Sequence, residues 1–205
     1  MKYKWLNKGR NNKIIIFFNG WGMDECVVNH LDCADYDILM FYDYNTLDTD
    51  FDFNTLNIYT EKNLIAWSMG VMIGSKYSKI IPSLTHCVAI NGTLKPINID
   101  YGIHPKIYDL TIKGFNEKGR ERFVNSMFDQ KVEINCLREI SNQQTELIAL
   151  KNYQADETFK YNKVFISDND KIIPTKSQIA FWGIEPNLKG GHCPFFQFNK
   201  WSELL

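Results

Sequence analysis

Three residues of this chain have the types and the order to carry out nucleophilic catalysis: Ser68, Asp170 and His192. A serine hydroxyl is a weak nucleophile near neutral pH. It needs a histidine base within hydrogen-bond reach, and an acid that holds the histidine's tautomer and stabilises its cation. Ser68 sits in Ala66-Trp67-Ser68-Met69-Gly70, between the apolar strand-like run Asn63-Leu64-Ile65 and the helix-like run Val71-Met72-Ile73-Gly74. Small residues on both sides of the serine let a strand and a helix approach closely there. This is the geometry of a nucleophile elbow, a strained turn that lifts the hydroxyl above a sheet. The usual pattern is Gly-x-Ser-x-Gly, and Ala66 departs from it: alanine keeps the approach close but is less permissive if the position needs a positive φ. The pentapeptide alone is common, so context must separate a nucleophile from an ordinary serine in a strand-to-helix loop.

The context comes from the partners. In α/β-hydrolases the chain order is Ser, then Asp or Glu, then His. Asp170 occurs in Ser167-Asp168-Asn169-Asp170-Lys171-Ile172-Ile173-Pro174, in the loop leaving a predicted strand. His192 occurs in Gly190-Gly191-His192-Cys193-Pro194-Phe195, in a glycine-containing loop before the last predicted helix. Both loops reach the sheet edge that carries Ser68. Asp168 is the rival acid, but it lies nearer the strand end and lacks the Asp-x-x-x-Pro context of Asp170. His30, His86 and His104 all precede the acid and read as ordinary surface or core histidines. Acyl transfer also needs two N–H donors aimed at the developing oxyanion. In this fold they come from the residue after the nucleophile and from the loop after an early strand, here Met69 and Trp21 in Asn19-Gly20-Trp21-Gly22.

The elements that must position these residues follow a strand–helix alternation. Lys13-Ile14-Ile15-Ile16-Phe17-Phe18 is a continuous apolar run, the pattern of a strand buried on both faces. Asp24 is positioned to cap a helix through Leu31, and Asp37 to Tyr42 is a second strand. Tyr44 to Asn57 is rich in Asp, Asn and Thr and predicts a loop with a short helix. The strand Lys62 to Ala66 delivers Ser68, a helix runs from Met69 to about Ile80, and His86 to Ile90 is the next strand. Between Asn91 and Asn162 no clear buried strand occurs, and helix-like segments follow at Pro105 to Lys113, Glu117 to Phe128 and Glu139 to Asn152. This stretch is expected to form a small helical cap over about 91–162. Lys163 to Ser167 resumes the strands, Thr175 to Phe181 is helical, and Phe195 to Leu204 is expected to close the chain as a helix. The alternation predicts a single α/β domain over 1–205, a doubly wound, mostly parallel sheet with its site outside the carboxyl ends of the strands.

Composition adds exclusions. The 205 residues carry a formal net charge of −1, 44% hydrophobic and 23% charged residues, which suits one globular domain and gives no general attraction to nucleic acid or anionic membrane. The basic N-terminal stretch Met1 to Arg10 lacks an apolar signal-like core, and no window is long enough to span a membrane, so a cytoplasmic location is expected. Five cysteines (Cys26, Cys33, Cys87, Cys136, Cys193) are scattered without Cys-x-x-Cys spacing, which argues against a disulfide framework and a zinc site. No cofactor or metal is expected.

Phe18-Asn19-Gly20-Trp21-Gly22, Ile65-Ala66-Trp67-Ser68-Met69-Gly70-Val71, Ala89-Ile90-Asn91-Gly92-Thr93, Tyr101-Gly102-Ile103 and Gly191-His192-Cys193-Pro194-Phe195 together resemble the pimeloyl-[acyl-carrier protein] methyl ester esterases of biotin synthesis, BioG type. The resemblance spans nearly the whole chain and is weakest from about Phe115 to Asn162. It implies an α/β-hydrolase that removes the methyl ester from pimeloyl-carrier, releasing methanol, with Ser68 as nucleophile, His192 as base, Asp170 as orienting acid and Trp21 and Met69 as oxyanion donors. Asn19 stands where a histidine often precedes Gly-Trp-Gly in related esterases. The implied partner is an acidic acyl-carrier protein and the expected state a monomer.

A neutral, extended acyl chain suits an apolar slot, which Trp21, Trp67, Phe195, Phe196, Phe123 and Phe128 could line. Lys113, Lys118, Arg120, Arg122, Lys131 and Arg138 concentrate positive charge in the cap, as a docking surface or a solvated helix face. The same triad would also serve another small-acyl esterase or a thioesterase, and a catalytically inactive carrier-binding relative is the alternative from another class.

Overall fold

A computed structural model of the protein describes residues 1–9, 11–130, 132, 134–135 and 138–205. Lys131, Cys136 and Arg10 lie outside the described residues. Among the described residues, six strands form one sheet in the order β1-β3-β2-β4-β5-β6: β1 Lys2–Asn7, β2 Lys13–Phe18, β3 Tyr36–Tyr42, β4 Glu61–Trp67, β5 Leu84–Ile90 and β6 Lys163–Phe165. β2 to β6 pair in parallel, and only β1 runs antiparallel, along β3.

The continuous apolar runs are explained by burial on both faces. Alternation along β2 sends Ile14, Ile16 and Phe18 into one core and Ile15 and Phe17 into the other. The first core is covered by α1 (Met69–Tyr77) and by residues of α2 (Pro105–Gly114), α4 (Ile140–Leu150) and α5 (Thr175–Trp182). With α3 (Glu117–Ser126), α2 and α4 occupy the stretch between β5 and β6. His104 caps α2 by accepting from Lys106 N–H, Pro105 fits its first position, and Asn116 caps α3.

Two expected helices are short turns. Asp24 does cap, accepting from Cys26 N–H, but the helix ends after Glu25–Val27 in a single 3₁₀ turn, with Val28 at φ −131°. The closing segment is two 3₁₀ turns, Phe195–Gln197 and Trp201–Leu204. The reason is shared: Asp32 N–H donates to Asn199 C=O at 2.8 Å and Trp201 N–H to Asp32 C=O at 3.1 Å, so the two segments bond each other instead of completing helices. Both drop apolar residues (Val27, Val28, Leu31, Phe195, Trp201, Leu204) into the second core. β1 is a further strand, whose Lys-Tyr-Lys-Trp alternation reads in the sequence only as a basic terminus. It is an edge strand with exposed lysines, a common way of protecting a sheet edge.

Candidate active site

Ser68 closes β4 and opens α1 with φ 58° and ψ −125°, in left-handed space that a serine occupies only under tertiary constraint. The constraint is a close strand–helix crossing. A Cβ on Gly70 would lie 2.2 Å from Phe18 C=O, so only glycine lets α1 start here. Ala66 carries no positive φ. The strain falls on the serine itself, which is why alanine is accepted where glycine is usual.

The structure brings Ser68, His192 and Asp170 into one hydrogen-bonded chain. Ser68 Oγ lies 2.8 Å from His192 Nε2, and His192 Nδ1 lies 2.7 Å from Asp170 Oδ2. A carboxylate only accepts, so Nδ1 carries the proton and Nε2 of the neutral ring is free to accept from Ser68. All three side chains are buried. Asp170 Oδ1 takes the N–H groups of Ile172 and Ile173, and Oδ2 also accepts from Gln178 Nε2 at 2.8 Å. The carbonyl of His192 accepts from Trp67 Nε1 and Asn91 Nδ2, both at 2.9 Å. Asn91 and Gln178 are supports that the sequence does not announce, because nothing in their local pattern points to a partner 101 or 8 positions away.

Asp168 is elsewhere. It pairs with exposed Lys189 at 2.8 Å, and that contact, with Gly190 N–H, holds its carboxyl below the usual range. The other histidines are occupied or solvated: His30 stacks on Phe196 and lies 3.1 Å from Phe195 C=O, His104 caps α2, and His86 is exposed.

Trp21 and Met69 line the same cavity as Ser68, a space of about 110 Å³. Among the described residues neither backbone N–H has an intramolecular acceptor. The cavity walls are otherwise mostly apolar, from Ile107, Tyr108, Phe123 and Leu147, with Lys171 at the lining. Of the aromatic residues expected there, Trp21 and Phe123 are present. Trp67 and Phe195 pack into the second core, because strand alternation turns Trp67 to the face opposite Ala66, and Phe196 and Phe128 contact each other away from the cavity. Arg138 also departs from expectation. It is buried, with Nη1 2.7 Å from Glu146 and Nη2 3.2 Å from Asp43, and takes no part in a basic surface.

A parallel sheet, a strained serine between strand and helix, and an acid and a histidine on later loops define the α/β-hydrolase class, in which the chain is a hydrolase-type enzyme. More particularly, the chain belongs to the BioG family, described as pimeloyl-ACP methyl esterase BioG, which matches residues 1–204. It is similar to the crystal structure of BioG from Haemophilus influenzae, with TM-score 0.87 and 28% identity over 100% of this chain and 99% of that one. It shares its fold, at 15% identity and TM-score 0.66, with the esterase EaEST from Exiguobacterium antarcticum, over 95% of this chain and 89% of that one. A curated relative from Bacteroides fragilis (strain 638R), named malonyl-[acyl-carrier protein] O-methyltransferase, is 34% identical over 82% of this chain. The chain spans 36% of that relative's length. Among the described residues, no helix is long and apolar enough to cross a membrane.

Proposed function

We propose that the protein is a serine esterase that hydrolyses the methyl ester of pimeloyl-[acyl-carrier protein] methyl ester, giving pimeloyl-carrier and methanol, in biotin synthesis. The observation that carries this reading is the Ser68–His192–Asp170 hydrogen-bond chain opening on an apolar cavity. Ser68 Oγ attacks the ester carbonyl while His192 Nε2 takes its proton, and Asp170 stabilises the imidazolium. The tetrahedral oxyanion accepts from the N–H groups of Trp21 and Met69. His192 returns the proton to the departing methanol, and a water deprotonated by His192 then releases the acid from Ser68.

Membership in a family described as pimeloyl-ACP methyl esterase supports the substrate. So does the name of the Bacteroides relative, which speaks of methyl transfer to a carrier-bound acyl group. The mostly apolar cavity, with Lys171 at its lining, takes an uncharged methyl ester end without the pairing that a buried carboxylate would need. The remaining acyl chain leads outward to the carrier.

The test is incubation with pimeloyl-carrier methyl ester beside shorter and longer homologues, followed by mass spectrometry. Loss of 14 mass units (one CH₂) from the pimeloyl species, faster than from its homologues, is the expected result (roughly one methyl replaced by hydrogen). Equal rates on simple soluble esters would make the protein a general esterase, and failure to label Ser68 with a fluorophosphonate would make it an inactive binding fold.

A further inference from the structure

α4 buries a glutamine and a glutamate where a helix face against a core normally carries apolar residues. Gln143 is 1% exposed and Glu146 0%, beside Leu147 and Leu150 on the same face. A buried carboxylate is expensive unless paired, and an apolar residue of similar size packs there more cheaply. Gln143 even leaves its Oε1 without a hydrogen-bond partner. Stability therefore does not account for either residue, whereas their contacts do suggest a role.

Both residues grip one short turn, the one that carries Trp21. Gln143 Nε2 donates to Gly22 C=O at 2.7 Å, and Gln143 C=O accepts from Trp21 Nε1 at 2.8 Å. Glu146 Oε2 accepts from Gly22 N–H at 3.1 Å, and its Oε1 accepts from Tyr44 N–H at 2.7 Å. Arg138 then neutralises Glu146 from behind, at 2.7 Å, and is itself anchored by Asp43 and Asn142. On the other side, Asn19 Oδ1 accepts from Gly20 N–H and Tyr44 hydroxyl donates to Asn19 C=O, both at 2.8 Å. The peptide groups flanking Trp21 are thus held from both sides, while the Trp21 N–H itself has no intramolecular acceptor among the described residues.

We infer that Gln143 and Glu146 are positioning residues: from α4 they fix the Trp21–Gly22 turn so that the Trp21 N–H is set for the oxyanion before substrate arrives. The inference rests on the reading of Trp21 as an oxyanion donor. Such a donor works by being oriented in advance, and small displacements cost heavily in the transition state and little in ground-state binding. Glu146 holds the turn by accepting from Gly22 N–H, while its other oxygen accepts from Tyr44 N–H; an amide in its place keeps one acceptor oxygen and would set its N–H₂ against one of these donors. Gln143 holds it as a donor, which a thioether of the same length cannot be.

The test uses Gln143→Met and Glu146→Gln, steady-state kinetics on a soluble short-chain ester, and inhibition by an aliphatic trifluoromethyl ketone, whose serine adduct bears the oxyanion. Both variants should lower kcat roughly 10- to 100-fold and weaken the inhibitor by a similar factor, with KM and the circular dichroism spectrum near those of the wild type. Gln143→Met removes one hydrogen bond and no charge, so it remains informative if Glu146→Gln folds poorly. A lower melting temperature with unchanged kcat and inhibitor affinity would reduce the two residues to packing and overturn the inference. Wild-type turnover by Ser68→Ala would instead overturn the serine esterase reading on which it rests.

Discussion

At the residue scale, one hydroxyl and one choice between two acids govern the chemistry. Ser68→Ala removes only the hydroxyl oxygen, the atom proposed to form the acyl-enzyme, and leaves Cβ and the strained backbone of the turn as they are. It should therefore fold as the wild type does and lose nearly all esterase activity, which an ester assay beside a thermal melt checks. Asp170 and Asp168 are two positions apart but differ in surroundings, the first buried on His192 and the second paired with exposed Lys189. Asp170→Asn should lower kcat by about 10⁴-fold, since an amide can present its N–H₂ to Nδ1 and favour the wrong tautomer. Asp168→Asn should leave kcat within about twofold of wild type, because an exposed ion pair contributes little. The reverse ranking in steady-state kinetics would reassign the acid.

At the element scale, the crossing of α1 over the end of β2 is the contact on which the elbow depends. An alanine in a helix is usually favoured over glycine by about 1 kcal/mol. At position 70 its Cβ would stand 2.2 Å from Phe18 C=O and 2.6 Å from Asn19 C=O, both main-chain atoms that can move only with the strand. The clash wins: overpacking of this kind costs about 3 kcal/mol or more, and Gly70→Ala should lower the melting temperature by roughly 6–12 °C. Gly114→Ala, whose Cβ meets nothing within 4 Å at the end of α2, is the control and should melt no lower than the wild type. Equal melting of the two variants would show that the crossing is loose.

At the scale of the whole molecule, the proposed substrate arrives on an acidic protein, and the charges that could meet it are those left on the surface. Arg138 is buried and Arg120 Nη1 donates to Arg138 C=O, which leaves Lys113, Lys118 and Arg122 exposed on α2 and α3. Rim charges act on encounter more than on chemistry. Reversing Lys118 and Arg122 to Glu should raise KM for carrier-bound substrate several-fold and weaken its dependence on salt, while sparing a soluble ester. Kinetics on both substrates at low and moderate salt check this. Equal losses on both substrates would indicate a structural role, and no loss on either a solvated helix face.

What the sequence by itself determined was local pattern and chain order. Unbroken apolar runs such as Ile14 to Phe18 require burial on both faces, small residues around Ser68 permit a tight strand-to-helix turn, and the sequence of Ser68, Asp170 and His192 along the chain fits loops at one sheet edge. Tertiary structure decided whatever depends on a partner remote in the chain. The segments after Asp24 and Phe195 gave up helix for bonds between Asp32 and residues 199 and 201, a preference no local window contains. Arg138 reads as surface charge until Asp43 and Glu146 are folded around it. The distance of 2.8 Å between Ser68 and His192 joins positions 124 apart, and the hold of Gln143 on Gly22 joins positions 121 apart. Side-chain pattern specifies which elements form and which face they bury, but placement within an ångström is a property of the closed core, where contacts from many segments must be met at once.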